Sequence, residues 1–252
     1  MKQTIDCKLK KHCKAPEGHC GFKCYPFTVL HGVNGNTGLW KTRNVPKKYD
    51  NCFLENLPQL EPDLTFQRMQ QYINTVTDRV AEGSGLYLFS VPSKINPLGT
   101  GTGKTTTAIT ILNEFLVKRV IQHTQGNELK NNPVLFMPMA DFQNIYNAQF
   151  RGTREMQEQA SDIYYSYKAK MKRVELLVID DIAIRNSTEA FMNEFYEIIN
   201  HRVNEDLATI YTSNEPLSKL VEIFGERIVS RIEGSTFQYI FAGKDHRRKE
   251  WC

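Results

Sequence analysis

No apolar run in this sequence approaches the ~18 residues that a membrane-crossing helix needs. The best runs, at 86–91 and 176–179, are strand-sized, so a membrane protein is not expected. Charge of one sign is also scarce. The net charge is +4 over 252 residues. Within residues 1–24, Lys2, Lys8, Lys10, Lys11, Lys14 and Lys23 outweigh Asp6 and Glu17 by enough to account for all of it. The remainder is neutral overall, which argues against wrapping duplex DNA by charge alone. Residues 1–14 are charged but hold no apolar segment, so no secretory signal is expected. No period recurs that would mark a repeat array. What is present is enough core: 40% hydrophobic and 24% charged residues suit one large domain, or one domain with a small appendage.

Cys7, Cys13, Cys20 and Cys24 crowd into 18 residues, whereas Cys52 and Cys252 stand apart. Pro16, Gly18 and Gly21 let so short a segment turn around one tetrahedral ion, and the neighbouring lysines favour thiolates. Soft thiolate ligands favour Zn2+, which would supply folding free energy that the segment lacks. The spacing C-x5-C-x6-C-x3-C is not the paired C-x2-C knuckle, and a histidine among His12, His19 and His31 can replace one cysteine. Disulfides and unrelated thiols are the alternatives; disulfides suit a chain without an export signal poorly. The expected organisation is a small metal-stabilised module with a linker near 32–45, residues 1–44 in all, then a larger domain over 45–252.

Within 65–82, Phe66, Met69, Ile73, Val76 and Val80 recur at helical spacing, and Gly83 and Gly85 end the helix. Strands are expected at 86–91, 134–140, 175–180, 207–212 and 236–241. Helices are expected at 104–122, from Asp141 as an N-cap, at 188–203, and as two short pieces at 217–224 and 226–232. Strands alternating with helices predict an α/β fold with a parallel sheet covered on both faces.

After the first of these strands comes Gly99-Thr100-Gly101-Thr102-Gly103-Lys104-Thr105-Thr106. Glycines let backbone N–H groups curl around a phosphate, and the following helix adds its positive N-terminal end. Lys104 is placed for the β- and γ-phosphates and Thr105 for Mg2+. The strict pattern wants glycine at 98, where this chain has leucine, and the path through 92–97 is long. The run Leu176–Ile179 delivers Asp180 and Asp181 to the sheet edge. Asp180 is suited to Mg2+ and Asp181 to polarising water. Asn214 ends the next strand and can reach the same edge. Arg227 and Arg231 share one helix face, and Arg247 follows the last strand; each is a phosphate-charge stabiliser or a surface charge. Lys168, Lys170, Lys172 and Arg173, beside Tyr164, Tyr165 and Tyr167, suit either single-stranded DNA or the solvated face of an amphipathic helix.

These elements in this order resemble the helicase-loader ATPases of the AAA+ class, the DnaC and DnaI type, with the transposition helper IstB a near relative. The resemblance covers 45–252. It rests on residues 46–49, 101–105, 176–181, 194–202, 212–214, 225–232 and 245–247. It implies a five-stranded parallel sheet flanked by helices, without a separate C-terminal lid, and slow ATP hydrolysis stimulated by a partner or by DNA. It assigns the phosphate loop to Gly99 through Thr106, Mg2+ to Thr105 and Asp180, and the position often held by glutamate to Asp181. Asn214 matches the first sensor, Arg231 the finger offered to a neighbouring subunit, and Arg247 the second sensor. It further implies ATP-dependent loading of a hexameric replicative DNA helicase onto single-stranded DNA during replication initiation. In that picture the cysteine module grips the helicase, the chains assemble head to tail, and the setting is the bacterial cytoplasm, with a phage source suggested. A transposition helper and a nucleotide-binding adaptor without significant turnover are the alternatives.

Overall fold

The computed structural model describes residues 7–13, 21, 23–57, 64–183 and 187–246. Five strands form one parallel sheet: β1 (Gly85–Ser90), β2 (Val134–Pro138), β3 (Leu176–Asp180), β4 (Thr209–Ser213) and β5 (Thr236–Phe241). Their spatial order is β2-β3-β4-β1-β5. The strands read as continuous apolar runs because both faces are covered. Along β1, Leu86 and Leu88 enter one core while Tyr87 and Phe89 enter the other. Along β3, Leu176 and Val178 alternate with Leu177 and Ile179 in the same way.

The first core holds α1 (Tyr25–His31), α2 (Gly38–Thr42), α3 (Leu64–Asn74), α4 (Val76–Ala81) and α5 (Lys104–Thr124). The second holds α6 (Met139–Ala148), α7 (Arg154–Arg173), α8 (Glu189–Asn204) and α9 (Leu217–Ser235). Buried Ile109, Leu112, Phe115 and Leu116 make α5 the central helix of its layer. This matters for function, because α5 begins where the phosphate loop ends.

Three boundaries differ from expectation. The helix expected over 65–82 breaks at Thr75, whose hydroxyl bonds the Gln71 carbonyl at 3.1 Å and whose backbone leaves the helical region. The strand from Val134 stops at Pro138, and α6 starts at Met139, two residues before the expected cap Asp141. The two short helices after 216 join end to end as α9, with Gly225 alone non-helical between them.

The basic run 168–173 lies on α7. There Lys168 Nζ pairs with Glu194 at 2.7 Å and Glu197 at 2.5 Å, and Lys172 pairs with Glu197 at 3.0 Å. Tyr164 is buried, with its hydroxyl on Glu194. These groups tie α7 to α8, so the DNA-facing reading of Lys168, Lys172 and Tyr164 gives way to an amphipathic helix.

Upstream residues pack on the same core. Leu9, Leu30 and Leu39 are buried in the α5 layer, and Cys7, Trp40 and Cys52 lie against it. The Arg43 guanidinium sits 3.8 Å from the Trp40 ring centre and pairs with Asp50 at 2.5 Å. Tyr25 Oη meets His123 Nε2 at 2.7 Å, linking α1 to the end of α5. The expected zinc set is not assembled among the described residues, where no three His, Cys, Asp or Glu side chains form a metal-holding group. Cys24 precedes α1 and Cys7 packs on the core, while Cys20 lies outside the described residues. Among the described residues no helix is long and apolar enough to cross a membrane.

Candidate nucleotide site

Strand register brings the chemistry to one edge. Ile179 pairs with Tyr211, so Asp180 and Thr212 follow side by side. Phe89 pairs with Ser213, so Ser90 and Asn214 follow likewise. The strands point the same way, so all four residues emerge at their C-terminal ends.

The loop then folds over that edge. Gly99, Gly101 and Gly103 all take positive φ, and α5 begins directly after Gly103. Ser90 Oγ donates to the Gly99 carbonyl at 2.5 Å and accepts from Lys104 Nζ at 2.7 Å. Lys104, 8% exposed, also donates to Asn214 Oδ1 at 2.8 Å. Asn96 Nδ2 bonds the Thr100 carbonyl at 2.7 Å, which anchors the lengthened path before the loop. Leu98, in the place where the strict motif has glycine, is 71% exposed and stands clear of this cradle.

Asp180 Oδ1 accepts from Thr105 Oγ1 at 2.7 Å and Thr212 Oγ1 at 2.6 Å. Burial pushes its carboxyl above the usual carboxylate range, with the Asp181 charge adding to the rise; the two threonine hydroxyls and Lys104 work against it. Asp181 sits in the left-handed region at φ 54, with its amide on Thr212 Oγ1 at 2.8 Å. Asn214 Nδ2 approaches Asp181 Oδ1 at 3.4 Å. A cavity of about 310 Å3 opens over these groups, lined by residues 100–106, Asp180, Asp181, Thr212 and Asn214, and also by Lys48, Tyr49 and His246.

The residues fit a triphosphate with Mg2+. Thr102 Oγ1 is buried without a hydrogen-bond partner, an orphan that a phosphate oxygen would satisfy. Thr105 and Asp180 offer the hard oxygen donors that Mg2+ prefers.

The family model for the bacterial DnaA ATPase domain matches residues 70–237, more than half of the chain. The chain belongs to that family. Among curated relatives, a chromosomal replication initiator protein DnaA of Bifidobacterium animalis subsp. lactis is 26% identical over 168 residues, 65% of this chain and 25% of that protein. A DnaA of Neisseria meningitidis is 29% identical over 181 residues, 68% of this chain and 30% of that protein. The chain thus spans less than a third of the length of these relatives. Among solved structures, the DnaC helicase loader aligns with a TM-score of 0.54 at 20% identity, over 78% of this chain and 100% of that one. DnaI aligns with a TM-score of 0.55 at 20% identity, over 81% and 95%. Domain III of the Thermotoga maritima DnaA aligns with 0.55 at 19%, over 81% and 70%. The fold is that of AAA+ ATPases, and this member of the DnaA ATPase-domain family is an ATPase related to those of replication initiation.

Of the residues expected at the site, the structure gathers Thr100 through Thr106, Asp180, Asp181 and Asn214 around one cavity. Gly99 stands at its approach, bonded to Ser90. Arg231 lies half-buried on α9 and does not line the cavity. Arg227 reaches Tyr196 instead, 4.7 Å from its ring centre. Arg247 lies outside the described residues. Sequence reasoning gave no role to Ser90, Lys48 or His246, and none to Thr212 as the partner of Asp180. Only strand register could have revealed Ser90 and Thr212.

Proposed function

We propose that this chain binds ATP with Mg2+ at the β1–α5 loop and uses binding and hydrolysis to time the loading of a replicative DNA helicase onto single-stranded DNA. The observation that carries the reading is the joint placement of Lys104, Thr105 and Asp180 at the sheet edge, 2.7–2.8 Å from partners that a nucleotide can replace. The fold likeness to the DnaC and DnaI loaders supports this reading.

The roles follow from position. Loop amides and Lys104 hold the β- and γ-phosphates, and Lys104 exchanges Ser90 and Asn214 for phosphate oxygens. Thr105 and Asp180 hold Mg2+, which supplies neutralisation of phosphate charge. Asp181 takes the proton side of the attacking water, and Asn214, already bonded to Asp181, orients that water. Arg231, which does not line its own cavity, serves the site of the next copy in a head-to-tail assembly on a hexameric helicase.

Loading of the cognate replicative helicase onto circular single-stranded DNA tests the reading directly. Wild-type chain with ATP should raise strand-displacement activity, and Lys104→Ala should not. Stimulation that survives without nucleotide would turn the reading into an adaptor. Binding to a transposase in place of a helicase would turn it into a transposition helper.

A further inference from the structure

The segment leaving β5 closes on the phosphate loop. The Thr100 hydroxyl donates to Asp245 Oδ2 at 3.3 Å. The His246 amide donates to the Gly101 carbonyl at 3.1 Å. The Asp245 carboxylate lies so near Gly101 that a Cβ there would stand 1.7 Å from Oδ1. Gly101 therefore lacks a side chain for Asp245 as well as for its positive φ of 66°. The same stretch is pinned from its N-terminal flank, by Ser90 at the end of β1 on Gly99 and by Asn96 of the intervening loop on Thr100. The loop is thus gripped from two sides, and only one grip comes from its own flanks. Asp245 itself does not line the cavity, whereas its neighbour His246 does.

We propose that Asp245 is a positioning residue for nucleotide binding, acting through Thr100 and Gly101 to hold the phosphate loop in its bound curve before the nucleotide arrives. The physical basis is pre-organisation. A glycine-rich loop left free must be frozen at the moment of binding, and that ordering opposes affinity. A carboxylate near an anion site also acts on the ligand through its charge, which is why the test compares two neutral variants. The proposal rests on the nucleotide-site reading above. It adds that the chain after β5 sets affinity without touching nucleotide through this residue.

The test compares Asp245→Asn with Asp245→Ala in the full chain. Both are neutral, so the difference between them reports the acceptor oxygen and not the charge. ATP and ADP dissociation constants are measured by titration, and steady-state hydrolysis gives KM and kcat. The alanine variant should bind both nucleotides about 10-fold more weakly than the asparagine variant, as for loss of one hydrogen bond. KM should rise with kcat nearly unchanged. Thr100→Val should match the alanine variant, and Thr100→Val with Asp245→Ala should be no worse than either alone. Equal affinities for the asparagine and alanine variants, or additive losses in the double variant, would overturn the proposal. So would a loss confined to ATP, which would make Asp245 a sensor of the γ-phosphate. If Asp245→Ala does not fold, Thr100→Val against Thr100→Ser carries the same comparison. Lys104→Ala is the control: if it binds ATP as well as wild type does, the nucleotide site itself is misassigned.

Discussion

Asp180 is held between two demands. Burial favours its neutral form, while Thr105 and Thr212 hydrogen-bond its charged form. The net rise means that the folded chain binds this proton more tightly than the unfolded chain does. Stability therefore falls as pH climbs from the ordinary carboxylate range through the raised folded value, and the penalty persists above it. Asp180→Asn removes that penalty. Its melting temperature should exceed that of wild type near pH 8, and the gap should close below the ordinary carboxylate range. Hydrolysis should drop by roughly 10²-fold, the scale of losing a designed electrostatic group. A melting temperature that is unchanged or lower at pH 8 would show that the site carries no stored penalty. At Asp181 the question is reach. The side chain is one methylene shorter than glutamate, so we expect a weak base and slow turnover. Asp181→Glu should raise kcat, and a lower kcat would refute the idea. Lys104, Asp180 and Asp181 were legible in the sequence because a glycine-rich loop and an apolar run ending in acids carry their own signal. Ser90 and Thr212 were not, because a serine or threonine at a strand end gains a role only from the strand beside it.

At the scale of elements, the strands and α5 were legible because their residues are apolar on both faces or at helical spacing. The misses have local causes. A threonine hydroxyl competes for a helix carbonyl at Thr75, and a proline ends β2 early. Gly225 is the reverse case, a break legible in the sequence that the structure turns into a kink. Its φ of 75° and ψ of 163° suit glycine alone, and a Cβ there would meet nothing within 4 Å. Gly225→Ala should cost about 1–3 kcal/mol of backbone strain, read as a lower urea midpoint with an unchanged slope. A change near zero would mean that the kink straightens freely. On α7 the sequence showed a basic run without showing what faced it. Glu194 and Glu197 come from α8 and occupy Lys168, whose ammonium is lowered by burial and raised further by their hydrogen bonds, for a net rise. Lys168→Ala should therefore lower the melting temperature and leave affinity for single-stranded oligonucleotides unchanged. A matching loss of oligonucleotide affinity would return this helix to the DNA interface.

At the scale of the molecule, the composition of the described cavity lining bears on how copies work together. The cavity holds a phosphate loop, a metal-suited pair and a water-suited pair, yet no arginine lines it among the described residues. Charge that spreads onto the transferred phosphoryl group would meet the ammonium groups of Lys104 and Lys48 among the described lining residues. Arg231 lies half-buried on α9, and Arg227 is held on Tyr196. In the proposed head-to-tail arrangement Arg231 serves the neighbouring site, and hydrolysis would then depend on how copies meet. On that proposal the rate reports assembly. Lys104→Ala should be silent because its site is broken, though its Arg231 is intact. Arg231→Ala should be silent because it offers nothing to a neighbour, though its own site is intact. Mixed together, the two variants form junctions in which an intact site faces an intact arginine. Activity should then appear in the mixture, rise with total concentration, and reach a substantial fraction of the wild-type rate. A mixture as silent as its parts, with Arg231→Ala alone retaining wild-type hydrolysis, would place Arg231 among ordinary surface charges and leave each copy to act by itself.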